Sequence, residues 1–395
     1  MLIFFEPFAA GFVPDFIFVR LYTPSMKNIL ITGGAGFIGS HLCDELINHG
    51  YSVRVLDSLI SQVHGANAER PEYLNPQVEL YVGDVRDKQA VLDALEGIDA
   101  VYHFAARVGV GQSMYEVNEY TDVNNRGTAV LLEALIQKPV KRLIVASSMS
   151  IYGEGLYTTQ SGNVIEDAAR PISQLKNSSW ELTSNGETLT PIATPETKKP
   201  NLASVYALSK YDQEVMSLIF GKAYNIPTVA LRFFNVYGTR QALSNPYTGV
   251  LAIFASRFLN NKAPIIFEDG EQKRDFVSVK DLVVACRLAL EVEEAAYEVF
   301  NIGSGNSYTV REIAQKLSNT MGLQHIQPVA TGEYRVGDIR HCFGDISKAK
   351  QVLGFEPQVK LEDGLDELAA WLEGQVAVDS VEEAKAELSA RGLTV

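Results

Sequence analysis

The sequence predicts an α/β protein, a Rossmann-type doubly wound parallel sheet followed by a smaller C-terminal α/β domain, on two observations. A β-type run from Asn28 to Thr32 breaks into Gly33-Gly-Ala-Gly-Phe-Ile-Gly39 and passes at once into a helical apolar pattern at Ile38, Leu42 and Leu46. Downstream, β-type runs at 78–82, 100–104, 143–146 and 228–233 alternate with helical ones, which is the rhythm of parallel strands joined by crossover helices.

The glycine run reads as a dinucleotide cradle. Glycine stands at 33, 36 and 39 where a turn needs positive φ, where backbone approaches a pyrophosphate, or where helix presses on strand. The phosphates then meet a helix N-terminus, whose unpaired N–H groups and dipole favour anions. The second strand, 52–56, ends in Asp57, eighteen residues past Gly39. An acid at that distance accepts from a ribose 2′-hydroxyl and repels a 2′-phosphate, which favours NAD over NADP. No Arg or Lys follows it until Arg70.

After residue 236 the rhythm changes to mixed segments with Gly-rich turns at Asp269-Gly270 and Gly303-Ser-Gly305 and a helix pattern over 310–321. The expected organisation is an extension over 1–26, an NAD-binding domain over 27–235 with an insertion at 154–203, a substrate domain over 236–372, and a helical tail over 373–395. Residues 1–25 are apolar but interrupted by Pro7, Pro14 and Pro24, with no basic start. That pattern argues against a signal peptide or a membrane span. Met26 before Lys27 looks like a natural start, and the extension is expected to be disordered or non-native. The insertion, rich in Thr, Ser, Asn and Pro, contains neither Cys nor His, which excludes a metal-binding module there. A lid or dimer-contacting flap and a merely tolerated insertion fit it equally. In the tail, Ser380-x-x-Glu383 reads as a capping box before Val381, Ala384 and Leu388, with Gly392 as the stop. It is expected to be a docking helix without chemistry.

At 395 residues, 46% hydrophobic and 21% charged, the chain can bury a large core and is expected to hold two domains. A net charge of −14 argues against nucleic acid or an anionic membrane surface as the partner; an anionic substrate has to be met by local arginines. Cys43, Cys286 and Cys342 have no paired spacing. Neither a disulfide framework nor a zinc site is predicted, and a reducing, cytoplasmic compartment is.

From Lys27 to about Leu372 the chain resembles the extended short-chain dehydrogenase/reductases, specifically the NAD-dependent nucleotide-sugar epimerases and dehydratases. Besides the glycines with Phe37 and Ile38, Gly83-Asp84-Val85 resembles the family's adenine-binding acid, and His103-Phe104-Ala105-Ala106 its cofactor-floor strand. Asn124 before Gly127-Thr128 resembles the helix asparagine that stiffens the central sheet, and Ser147-Ser148 before Ile151-Tyr-Gly153 the serine motif. Tyr206-x-x-x-Lys210 resembles the catalytic pair. Leu231-Arg-Phe233-Phe-Asn235-Val-Tyr-Gly238, Gln272-x-Arg274-Asp-Phe-x-x-Val279 and Arg335-x-Gly-Asp338 are similar to its substrate-side signatures. The resemblance implies NAD as cofactor, with Phe233 on its site, a nucleotide-diphosphate sugar as substrate, and a homodimer.

The implied chemistry can be argued from the residues. Tyr206 and Lys210 are four apart, so on a helix they share a face. A tyrosine starts near pKa ~10, and Lys210 with the positive nicotinamide is expected to pull the phenol toward neutrality so that it serves as general base. Ser148 is expected to hydrogen-bond the same sugar oxygen. Arg274 and Arg335 are expected to clamp the diphosphate, Asn235 to contact sugar or phosphate, and Asp338 to orient Arg335 or meet the nucleoside. His341, Cys342 and the strand residue His103 are expected to be structural.

Dehydratases of this superfamily carry an Asp-Glu pair directly after the serine-motif hydroxyl, and decarboxylases a Glu. Here Met149 and Ser150 stand there. With no acid to eliminate water, the resemblance implies epimerisation at C4 through a 4-keto intermediate. Val108 stands where galactose-type epimerases often carry Lys. Gly109-Val-Gly-Gln-Ser-Met114 and Gly238-x-Arg-Gln-Ala-Leu-Ser-Asn-Pro-Tyr-Thr-Gly249 resemble dTDP-L-rhamnose 4-epimerases, so a 6-deoxyhexose is preferred to UDP-glucose/galactose. A net nucleotide-sugar dehydrogenase and a non-catalytic scaffold are the other readings; the intact Tyr-Lys pair speaks against the second.

Overall fold

The computed structural model describes residues 26–66 and 69–394; the expectation for residues 1–25 lies outside them. Seven parallel strands form the central sheet: β1 (Asn28–Thr32), β2 (Ser52–Asp57), β3 (Glu79–Val82), β4 (Ala100–His103), β5 (Arg142–Ser148), β6 (Thr228–Phe233) and β7 (Val299–Ile302), in the order 7-6-5-4-1-2-3. The order reverses between β1 and β4, and ligands of open α/β sheets bind at that crevice, beyond the carboxyl ends of the strands. β4 and β5 are buried along their whole length, as strands covered by helices on both faces must be.

The helices that frame the site are α1 (Phe37–Asn48), α2 (Gly127–Gln137), α3 (Val205–Tyr224), α4 (Val250–Leu259), α5 (Val279–Glu291), α6 (Val310–Thr320), α7 (Leu361–Leu372) and α8 (Val381–Ala390). α3 begins where the Ser204 hydroxyl accepts from Ala207 N–H and ends at Asn225 in the left-handed region. α6 starts with a capping box, Thr309 with Glu312, two orphan donors satisfied reciprocally.

The boundary expected at 235/236 is crossed. α5 and β7 lie beyond it in sequence, yet β7 pairs with β6 from Ala230 to Phe233, and Leu282, Cys286 and Ala289 of α5 share the core of α1 and β1. Without them β6 would be an open edge. The second domain keeps its own core, in which Phe254, Phe258, Ile313, Leu317, Leu365 and Leu368 of α4, α6 and α7 meet.

The insertion is a folded, docked unit. Leu156–Thr158 pairs with Val164–Ile165 and Thr190–Ile192 over a small core of Tyr157, Leu182 and Leu189. It is anchored by the buried ion pair of Arg170 with Glu268 at 2.8 Å and by the part-exposed Glu181, which pairs with Arg340 at 2.5 Å.

The tail forms the helix that its sequence predicts, but not by the predicted cap. Ser380 has φ −106° and ψ 20° and its hydroxyl caps nothing; Asp379 accepts from Val381 N–H instead, at 3.2 Å. A capping side chain needs an extended N-cap backbone to reach forward. Among the described residues no helix is long and apolar enough to cross a membrane.

Candidate active site

A cavity of about 650 Å³ opens over the carboxyl ends of β1, β2, β4, β5 and β6 and runs into the second domain. At its cofactor end, Gly33 has φ +71°, and a Cβ there would stand 2.8 Å from Ala105 N; on Gly39 it would stand 2.5 Å from Gly34 Cα. These glycines are dictated by the turn and by helix-on-turn packing. Gly36, the N-cap of α1, supplies no side-chain cap, and a Cβ built on it would meet only Gly33 O, at 3.5 Å. The first-turn N–H groups of α1 are left for an anion, so this chain fits a dinucleotide pyrophosphate.

Asp57 lines the cavity and accepts from Ala35 N–H (3.0 Å) and Leu59 N–H (2.9 Å). The carboxylate thus shapes the glycine turn as well as facing the cavity. Asp84 is held below the usual carboxylate range chiefly by hydrogen bonds from Arg86, at 2.6 and 3.0 Å. Phe37, Ile38, Val85, Phe104, Ala105, Ala106 and Phe233 line the walls, with Phe104 and Phe233 edge to face at 5.7 Å. Asn124 does not line the cavity. Its side chain accepts from Arg107 N–H (2.7 Å) and donates to Arg107 O (3.1 Å) and Ser209 Oγ (2.9 Å). It therefore braces the loop after β4 against α3.

At the reaction end, α3 brings Tyr206 and Lys210 against Ser148 at the end of β5. Burial pushes the Tyr206 phenol above its ordinary value, and the neighbouring Ser148 hydroxyl pulls the other way. Lys210 does not pull the phenol down in this arrangement. Its Nζ donates to Gln213 Oε1 at 2.7 Å, and burial lowers it to about 7 against the opposing Glu214 carboxylate. In the chain alone, burial is the strongest influence on both groups, and Lys210 is not among the groups that act on the Tyr206 phenol. Gln213 also donates to Thr128 Oγ1 at 2.9 Å and sits 3.2 Å from His103 Nε2. His103 is lowered to about 3 by burial and then by Lys210, so it is a neutral core group. Gln213 was legible as the residue three after Lys210 on the same helix face. Ser150 was also missed; its hydroxyl and N–H both donate to Ser148 Oγ, at 2.9 and 3.2 Å.

At the far end Arg335 makes a bidentate pair with Asp338, at 3.0 and 2.7 Å, and lies over the Phe267 ring at 5.3 Å. Arg274 donates to the carbonyls of Lys273 (2.9 Å), Arg340 (2.8 Å) and Ile339 (2.5 Å). His341, Cys342 and the insertion stand behind this loop, with His341 Nε2 3.1 Å from Glu181. Asn235 Oδ1, Gln241 Oε1 and Gln272 Oε1 are buried acceptors with no partner among the described residues, and all three residues line the cavity. Such orphans are costly unless a ligand satisfies them. Both glutamines stand in the motifs quoted from the sequence, Gln272 heading Gln272-x-Arg274 and Gln241 within the 238–249 stretch, but neither was given a role of its own. Val381, Ala384, Lys385 and Leu388 of the tail helix α8 also line the cavity.

A family model described as the NAD dependent epimerase/dehydratase family matches residues 29–303. A dTDP-L-rhamnose 4-epimerase of Burkholderia thailandensis is 35% identical over 350 residues, 88% of this chain and 95% of that protein. The crystal structure of the UDP-glucose 4-epimerase of Thermotoga maritima with UDP-glucose has a TM-score of 0.71 at 34% identity, over 88% of this chain and 98% of that one. The Thermus thermophilus UDP-glucose 4-epimerase complex with NAD has a TM-score of 0.70 at 29% identity, over 88% and 100%. A glycine cradle, a Ser-Tyr-Lys constellation and a two-domain cavity thus coincide with a match over more than half of the sequence, and the chain belongs to the NAD-dependent epimerase/dehydratase family.

Proposed function

We propose that this protein is an NAD-dependent nucleotide-sugar 4-epimerase that inverts C4 through a 4-keto intermediate, with dTDP-L-rhamnose as its substrate. The observation that carries the reading is the wall after Ser148. Met149 and Ser150 line the cavity there, and its lining carboxylates are Asp57, Asp84, Glu119 and Asp338. Asp84 is held by Arg86, which also lies near Glu119, and Asp338 is held by Arg335. Among the described residues no free carboxylate lines the wall beside Ser148 to remove water from a keto sugar. The apolar Val108, Val110 and Met149 on the same cavity favour a sugar with a methyl at C6.

In this reading the glycine turn, Asp57, Asp84 and Val85 hold NAD, which when bound takes a hydride from the sugar carbon and returns it. Tyr206 takes the proton from the C4 hydroxyl and gives it back, while Ser148 holds the same oxygen, itself oriented by the two donors of residue 150. Lys210 is positioned by Gln213. Arg274, Arg335 and the orphan acceptors of Asn235, Gln241 and Gln272 face the nucleoside diphosphate. Asn124 is assigned to positioning.

The same reading includes a homodimer in the cytoplasm. Leu208 and Ile219, eleven residues apart on α3 and so on one helix face, are exposed large side chains, an apolar stripe suited to a second copy. Cys43, Cys286 and Cys342 are buried free thiols, which suits a reducing compartment.

The test is a panel of dTDP-, UDP- and GDP-sugars with C4 inversion read by NMR, using substrate deuterated at C4. Inverted product that keeps its deuterium, without NADH accumulation, is expected. Deuterium moved to C6 would make the protein a dehydratase, and stoichiometric NADH a dehydrogenase. Inversion of UDP-hexoses but not of dTDP-L-rhamnose would correct the substrate.

A further inference from the structure

We propose that the C-terminal helix α8 is a substrate-binding element, closing the diphosphate end of the cavity and supplying Lys385 as a further cation for the diphosphate. The inference rests on the nucleotide-sugar reading above and goes beyond it, since α8 lies outside the matched family model, which ends at residue 303.

Four residues of α8 line the cavity, at 381, 384, 385 and 388. That spacing puts them on one helix face. Leu388 is nearly fully buried and packs on Gly111, where a Cβ would stand 3.4 Å from it and 3.8 Å from the Arg335 side chain. Leu388 therefore covers the same wall as the arginine assigned to the diphosphate. Beyond the helix, Val336 N–H donates to Leu393 O at 2.9 Å and Arg335 bridges Thr394 in antiparallel fashion. The chain end is thus laid directly on the Arg335 loop.

Lys385 Nζ pairs with Glu333, at 2.9 Å, two residues before Arg335. The pair is part-exposed, a setting in which ion pairs are weak, so a diphosphate entering beside Arg335 can draw the ammonium from Glu333. α8 is held in this place from both ends. Its base is fixed by the buried Asp379 carboxylate on Arg257 (3.0 Å) and by Lys262 (2.9 Å), and Glu382 in its first turn also pairs with Arg257 (2.8 Å). Beyond it, Leu393 is hydrogen-bonded to the Arg335 loop and Arg391 lies over the Tyr115 ring at 4.6 Å. The helix itself adds only Leu388 to the buried apolar residues, so its position rests mainly on these polar ties around the cavity mouth.

The experiment titrates UDP and dTDP into the NAD-loaded full-length protein by calorimetry, alongside Lys385→Ala, Lys385→Arg, Leu388→Asp and a chain ending at Gly374. Lys385→Ala is expected to weaken nucleoside diphosphate binding about tenfold, with Lys385→Arg restoring most of it. Leu388→Asp and the truncation are expected to weaken it at least as much while NAD stays bound. Tryptic cleavage after Arg391 is expected to slow when dTDP or UDP is present. Unchanged affinity in Lys385→Ala and Leu388→Asp overturns the inference, even if the truncated chain fails to fold. If the unaltered protein binds neither diphosphate, it is the nucleotide-sugar reading that falls.

Discussion

The two ends of the cavity are both poor in water, yet they treat charge in opposite ways. At the reaction end Lys210 bonds the neutral Gln213 amide, and burial brings it down to about 7 against the nearby Glu214 carboxylate, which is itself paired with Arg232; Tyr206 is pushed up by burial as well. At the diphosphate end each guanidinium carries its own acceptors, Asp338 for Arg335 and three carbonyls for Arg274. Desolvation without a directly bonded counter-charge favours the neutral form of each group, whereas a direct ionic partner keeps a charge fixed. The first suits acid–base chemistry and the second suits holding an anion that does not react.

The largest effect that sharpens this contrast is expected from Tyr206→Phe. Removing only the phenolic oxygen should cut turnover by about 10²- to 10⁴-fold, with NAD and nucleotide sugar still bound. Wild-type turnover in that variant, measured by NMR inversion, would falsify the role of the pair. Arg335→Ala should act at the other end, raising KM and leaving kcat nearly intact. Losing a charged bidentate contact costs roughly 1.5–3 kcal/mol, about 10- to 150-fold in affinity. Arg335→Lys should recover only part of it, because an ammonium lacks the fork. A drop in kcat without a change in KM would place Arg335 in the chemistry instead.

The buried surroundings behind Lys210 also carry a pH signature. His103 is lowered to about 3 in the folded protein by burial and Lys210, against about 6.5 when unfolded. Between these values the unfolded chain binds the proton and the folded chain does not, so stability is complete above pH ~6.5 and falls as pH drops toward ~3. His103→Gln should flatten that slope by on the order of 2 kcal/mol, read from denaturant midpoints across the range. An equally steep slope in the variant would mean that other groups, such as the buried His41, carry it.

The smallest effect concerns the cofactor end. Asp57→Ala should shift preference toward NADP by about tenfold, since the repelling carboxylate is gone. It should also lower stability by about 1–2 kcal/mol, since Ala35 and Leu59 lose their acceptor. Titration of both cofactors and a melting curve check the two halves separately; an unchanged NAD preference would leave Asp57 with the structural role alone.

What was legible in the sequence is what local chemistry encodes. The glycine cradle, the acid at the end of β2 and the Tyr-Lys spacing on one helix follow from turn sterics, helix dipoles and a period of 3.6, each set within a few residues. The helix at 381–390 was legible for the same reason, while its cap was not, because Ser380 takes a backbone angle set by the docking of Asp379 on Arg257.

By itself, then, the sequence determined the parallel α/β class, the dinucleotide turn and the spacing that puts Tyr206 and Lys210 on one helix face. Only the tertiary structure decided that β7 and α5 return to complete the first sheet, and that Lys210 bonds Gln213 rather than Tyr206. It likewise decided that Asn124 braces a loop and that the last helix walls the cavity. Each of these is a contact between distant segments, selected by which surfaces exclude water together, and no local period records that choice.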